Sequence, residues 1–283
     1  SWVVPFEAKG TNPPLFWFSW GPWDFRLPRY LDSDQPVYGL QHQSQDGHRA
    51  LYTSIEKMAA YYLREVRAVQ PKGPYFLGGY CIGGMVVFEM AQQLQKQGEE
   101  VALLALLDPV NPMSGGLSPV AKHARSLSSQ LSWLGNKVYR HLRELAPLGA
   151  EEKLSYALVR VNDRFMGLRE KMNWMGRRAL LAAFNRPLPA SLRSRYIVSI
   201  YGRARRAYAP KLYRGRAILF RTQGRYRNGQ LPWANLIADG LVTQELDTDH
   251  EEVFKEPYVK IFAERLRTHL SLVQGQVAGR LRN

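Results

Sequence analysis

The sequence predicts an α/β fold: a mostly parallel central sheet with helices on both faces, interrupted by a long helical insertion. Three observations predict it. Short continuous apolar runs alternate with segments of helical period over the first 110 residues, the pattern of parallel strands covered on both faces. A glycine-rich stretch, Gly78-Gly79-Tyr80-Cys81-Ile82-Gly83-Gly84, lies between one such run and one such helix. Strand signals disappear over residues 112–208 and then return, so a single sheet is interrupted rather than followed by a second one.

The elements follow in order. Residues 2–6 and 15–18 are short apolar strands split by Thr11-Asn12-Pro13-Pro14, and residues 36–41 are a third strand. Residues 53–70 carry a helix opened by a capping box from Thr53 to Glu56 and ended before Pro71. A strand over 75–79 enters the glycine-rich turn. The helix over 83–97 leaves it and stops at Gly98, and residues 101–107 are a continuous apolar strand. Strands resume at 217–222 and 242–246, and a helix over about 257–270 closes the pattern. The expected core is therefore residues 1–111 with 209–283, and residues 112–208 are an inserted helical lid within one domain.

Composition bounds the chemistry. The 283 residues suffice for one large α/β domain with a buried core. A single cysteine forms no internal disulfide, so a reducing, cytoplasmic setting is expected. The longest unbroken apolar stretch, residues 101–107, falls well short of the roughly 18 residues that cross a bilayer, so no membrane is expected. The chain begins with Ser1 and shows no signal-peptide pattern, which suggests a piece of a longer polypeptide. Its net charge of +15 is local: residues 120–215 hold 20 of the 39 basic and 5 of the 24 acidic residues. Such a block points to an anionic partner or substrate. No nucleic-acid motif accompanies it, so nucleic acid is not expected.

Gly79-Tyr80-Cys81-Ile82-Gly83 has the form of a nucleophile elbow with cysteine in the central place. The turn from strand to helix forces that residue into a strained backbone, and flanking glycines give it room. It also sits at the positive end of the next helix, which favours a thiolate. A lone cysteine elsewhere is usually inert packing; in this context Cys81 reads as a nucleophile.

The base and acid follow from order and position. Elbow enzymes run nucleophile, acid, histidine along the chain, which removes His42 and His48. His123 and His141 lie among basic residues of the insertion, and His269 falls on the polar face of the closing helix. His250, after the last strand, is the expected base. Asp108 directly follows the apolar strand beside the elbow strand. A carboxylate there is costly without a task, so Asp108 is expected to hold the Nδ1 proton of His250. The stretch after the penultimate strand offers no carboxylate until Asp239; Asp247 and Asp249 are the competitors, both too near His250 in sequence to reach easily around to its ring. For an oxyanion hole the backbone N–H groups of Ile82 and Gly21 are the candidates. Trp17, Trp20 and Trp23 read mainly as core packing, with Trp20 or Trp23 expected to wall a substrate pocket. No metal- or cofactor-binding set is read.

Over nearly its whole length the chain resembles the product-release thioesterase domains of nonribosomal peptide and polyketide synthases, members of the α/β-hydrolase superfamily. The resemblance rests on the elbow, on "LLALLDP", on Tyr208, Pro210, Tyr213 and Gly215, and on the stretch through His250. It implies an acyl or peptidyl chain delivered on the 4′-phosphopantetheine arm of a carrier protein, with the acid at Asp108 and a lid where the insertion lies. It also gives the basic block a use, since an acidic carrier domain can dock near it. Members mostly carry serine at the elbow and "GDH" at the histidine; here stand Cys81 and "TDH". A serine converts the incoming thioester to a lower-energy oxoester, whereas cysteine keeps it activated. That suits cyclisation (a lactone or lactam, including a strained ring) or acyl transfer better than hydrolysis. The alternatives are a carrier-independent ester or lactone hydrolase of the dienelactone type and a non-catalytic binding domain of the same fold.

Overall fold

The computed structural model describes residues 2–19, 22–44, 46, 48, 50–110, 187–223 and 232–282. Among the described residues, seven strands form one sheet in the order β1-β3-β2-β4-β5-β6-β7: β1 (Val3–Glu7), β2 (Leu15–Ser19), β3 (Val37–Gln41), β4 (Tyr75–Tyr80), β5 (Val101–Leu107), β6 (Ala217–Thr222) and β7 (Leu241–Leu246). Only β1 runs antiparallel, pairing with β3; the others are parallel. The carboxyl ends of β2 to β7 therefore gather along one edge, where α/β sheets place their chemistry.

Side-chain alternation explains the layers. Trp17, Phe76, Ala105, Leu107 and Phe220 point to one face and pack with Val259, Phe262 and Leu266 of α4 (Tyr258–Arg282). Trp17 and Phe262 lie 5.7 Å apart, so Trp17 is core as expected. On the other face, Phe18 meets Tyr62 of α1 (Ile55–Val69) edge-on at 5.2 Å, and α2 (Ile82–Lys96) packs beside α1. Each large aromatic buried this way contributes about 1.5–3 kcal/mol of transfer free energy.

Two local expectations are corrected. The cap of α1 is Ser54, not Thr53: Ser54 is extended, and its Oγ accepts from the Lys57 amide at 3.3 Å. The reciprocal box is thus absent, and Glu56 instead sits in the first turn, favourable to the helix dipole. The closing helix α4 runs to Arg282 rather than ending near Leu270. Gly275 and Gly279 are weak helix formers, and tertiary contacts hold this last stretch helical. Val277 is buried, Gln274 Nε2 donates to Gln35 Oε1 at 2.6 Å, and Arg280 pairs with Glu100 at 2.7 Å.

The chain divides into two compact units, one of residues 1–45, 50–115 and 196–283, the other of 46–49 and 116–195. In the second, the described part includes the start of α3 (Ala190–Ala207), where Leu192 and Arg193 amides turn back to the Pro189 carbonyl at 2.9 and 3.2 Å. The helices expected between residues 112 and 186 lie outside the described residues.

In the first unit a ladder fixes the chain after α3. Tyr208 Oη donates to Glu89 Oε2 at 2.7 Å, Gln92 Nε2 donates to the Lys211 carbonyl at 2.9 Å, and the Gln95 side chain bonds both main-chain groups of Arg214. Both strands of this ladder advance by three residues, one helical turn of α2 against an extended partner. Burial and the Glu89 carboxylate push the Tyr208 hydroxyl well above the usual phenol range, so it stays a donor.

Candidate active site

Cys81 stands between β4 and α2 with φ 54° and ψ −120°, a left-handed conformation that costs a non-glycine residue energy. The turn holds because its neighbours are small. A Cβ on Gly79 would lie 2.8 Å from the backbone carbonyl of Gly83, and one on Gly83 would lie 2.5 Å from the Phe18 ring. Gly79→Ala is therefore expected to cost about 1–3 kcal/mol by overpacking, read as a lowered urea midpoint at unchanged slope; an unmoved midpoint would mean the turn relaxes freely. The Cys81 amide donates to the Leu107 carbonyl at 3.0 Å, and the Val110 amide donates to the Cys81 carbonyl at 3.2 Å, tying the elbow to the chain after β5. The thiol is half-buried against the core.

Asp108, the first residue past β5, is fully buried and also has positive φ, 45°. Its Oδ1 accepts the Thr222 amide at 3.0 Å, its Oδ2 accepts the Thr222 hydroxyl, and His250 Nδ1 lies 2.7 Å from Oδ2. These bonds satisfy a carboxylate that burial alone would make costly. With Nδ1–H given to Asp108, Nε2 is the ring atom left for proton traffic. The structure thus brings together Asp108 and His250, and it places Cys81 at the end of the neighbouring strand β4.

The competing carboxylates are elsewhere. Asp239 precedes β7, at the sheet edge opposite His250. Asp247 accepts from Gln223 Nε2, and Asp249 is exposed. Among the other histidines, His42 directly follows β3, and burial lowers its pKa. His269 was expected on a polar face; instead it is half-buried, its Nε2 2.6 Å from Gln244 Nε2 of β7 and its ring edge-on to Phe220.

Ile82 opens α2, so its amide lies at the positive end of a 15-residue helix. Gly21 and Trp20 lie outside the described residues. Trp23 lies in a 3-10 segment, Pro22–Tyr30, and its side chain is outside the described set.

Two site residues escaped sequence reasoning. Thr222 closes β6 and grips Asp108; a polar residue ending an apolar strand is its only mark in sequence. Tyr80, the variable position of the elbow, stacks on the His250 ring with centroids 4.5 Å apart and planes 27° apart. Among the described residues no helix is long and apolar enough to cross a membrane, and no cluster of His, Cys, Asp and Glu has a metal-binding arrangement.

Residues 13–145 match the family model of the thioesterase domain. Vanchrobactin synthetase VabF of Vibrio anguillarum is 29% identical over 278 residues, 95% of this chain and 8% of that protein. Malpibaldin synthetase of Mortierella alpina is 42% identical over 110 residues, 38% of this chain and 2% of that protein. The chain thus spans a small fraction of these relatives. Among solved structures, the NocB thioesterase domain in covalent complex with a fluorophosphonate nocardicin G analogue covers 95% of this chain and 100% of its own, with TM-score 0.61 at 22% identity. At that identity the likeness is one of fold.

Proposed function

We propose that this chain, a thioesterase domain on an α/β-hydrolase fold, is a chain-release enzyme with Cys81 as nucleophile, His250 as base and Asp108 as the acid that orients it. The observation that carries the reading is the 2.7 Å contact of His250 with a buried Asp108, on the sheet edge where Cys81 ends its strand with positive φ. The donor is an acyl or peptidyl chain held as a thioester on the phosphopantetheine arm of a carrier domain. The Cys81 thiolate attacks the thioester carbonyl while two amides, that of Ile82 next to the nucleophile and that of Gly21 in the sequence after β2, hold the oxyanion. The bond from the carbonyl carbon to the arm sulfur breaks, and the arm leaves as a thiol with a proton from His250. An acceptor hydroxyl or amine then gives its proton to His250 and attacks the new thioester, freeing Cys81.

Because one thioester replaces another, the acyl-enzyme keeps its activation, and we read release as cyclisation or transfer rather than hydrolysis. The insertion, residues 112–208, acts as a lid, and its basic residues receive an acidic carrier domain. Intact-mass analysis after incubation with an acyl-loaded carrier tests the reading. An acyl adduct on Cys81 and a cyclised or transferred product are expected. Reaction with free esters but not with the carrier thioester would make the chain a carrier-independent hydrolase instead. A Cys81→Ser variant giving the same product at the same rate would make the sulfur incidental.

A further inference from the structure

Tyr80 holds His250 from two sides. Its ring stacks on the imidazole at 4.5 Å and 27°, and its hydroxyl donates to the His250 main-chain carbonyl at 2.5 Å. The tyrosine is itself held: its ring and that of Phe254 lie 5.1 Å apart and near perpendicular, and only 9% of its surface is exposed. The next residue along the chain is Cys81, so a single dipeptide supplies both the sulfur and the face against the base. A phenol face is the negative part of the ring quadrupole, and it attracts a cation more than a neutral ring. The stack therefore favours imidazolium over imidazole, the form that His250 takes whenever it holds the proton of Cys81.

We propose that Tyr80 is a positioning residue that stabilises the thiolate–imidazolium pair of Cys81 and His250, lowering the pH at which the thiolate appears. The proposal rests on the assignment of Cys81 and His250 as nucleophile and base. Other titratable groups also bear on the ring. Asp108, at the end of β5, acts in the same direction through Nδ1. Asp247, Asp249 and Glu251 belong to the loop that carries His250 and are exposed, so solvent and salt screen them. Thr222 does not titrate. The face of the imidazole is thus served by Tyr80 and its edge by Asp108.

The test is the pH profile of Cys81 alkylation by iodoacetamide, followed by intact mass. In wild type the midpoint is expected well below that of a free thiol. Tyr80→Leu removes the π face and is expected to raise the midpoint by about 0.5–1 pH unit, the scale of a cation–π contact. Tyr80→Phe keeps the face and loses the hydroxyl, so the wild-type midpoint is expected. Pentafluorophenylalanine at position 80 keeps shape and packing but reverses the ring quadrupole. It is expected to move the midpoint upward like leucine, which covers the case of a leucine variant that does not fold. A midpoint unchanged with the fluorinated ring overturns the proposal and leaves the nucleophile assignment standing. A wild-type midpoint like that of a free thiol, with no acyl adduct from the carrier thioester, overturns the assignment itself.

Discussion

Cys81→Ala is expected to leave a folded protein that takes up no acyl chain. Alanine at position 81 faces the same positive-φ cost as cysteine, and the half-buried sulfur leaves little space behind. The thermal midpoint should therefore stay within a few degrees of wild type. Single-turnover transfer from an acyl-loaded carrier should fall by on the order of 10⁴-fold or more, as removal of a nucleophile from a cooperating triad does. Quenched-flow with intact mass reads it directly: the arm thioester persists and the adduct is absent. An adduct that survives in the alanine variant, mapped to another residue, would move the nucleophile elsewhere.

Asp108→Asn is the second large effect, and its cause is the count of bonds around one oxygen. Oδ2 accepts from the Thr222 hydroxyl and faces His250 Nδ1, while Oδ1 accepts the Thr222 amide. The amide fixes the orientation of an asparagine, because only its oxygen can take that N–H. Its NH₂ then faces Nδ1, and His250 must place its proton on Nε2, the atom needed to accept one from Cys81. The expected fall in acylation is on the order of 10³–10⁴-fold, the size seen when a triad aspartate becomes asparagine in serine proteases. Losing a charged acceptor at a fully buried position also costs about 1–3 kcal/mol of stability. Acylation rates of Cys81 across pH check this: the variant stays slow throughout, whereas a purely electrostatic role for Asp108 would return activity at high pH.

The way the site divides between sequence and structure follows from what each contact depends on. The elbow is a local device, one strand, one turn and one helix, so its spelling sufficed to locate Cys81. Asp108 follows a continuous apolar strand and His250 the last strand of the pattern, and a parallel sheet sends such ends to one edge, so their meeting could be expected without coordinates. Thr222 and Tyr80 depend on register instead. Thr222 reaches Asp108 because Leu107 pairs with Phe220 across β5 and β6, and nothing in either strand spells that pairing. Tyr80 reaches His250 across 170 residues. The same limit explains β1, whose pairing with β3 rather than β2 is a long-range choice between strands of similar composition, and α4, whose glycines are held helical by Gln35 and Glu100.

The ladder on α2 has one more consequence. The chain leaves the sheet at Val110, bonded to the Cys81 carbonyl, and returns at Tyr208, bonded to Glu89 of the helix that Cys81 begins. Val110 and Tyr208 are thus both tied to α2 and its cap, and α3 between them adds its own hold on the core, Tyr201 meeting Phe18 edge-on at 6.3 Å. The elbow turn and the chain that runs on to β6 are thereby braced against one helix.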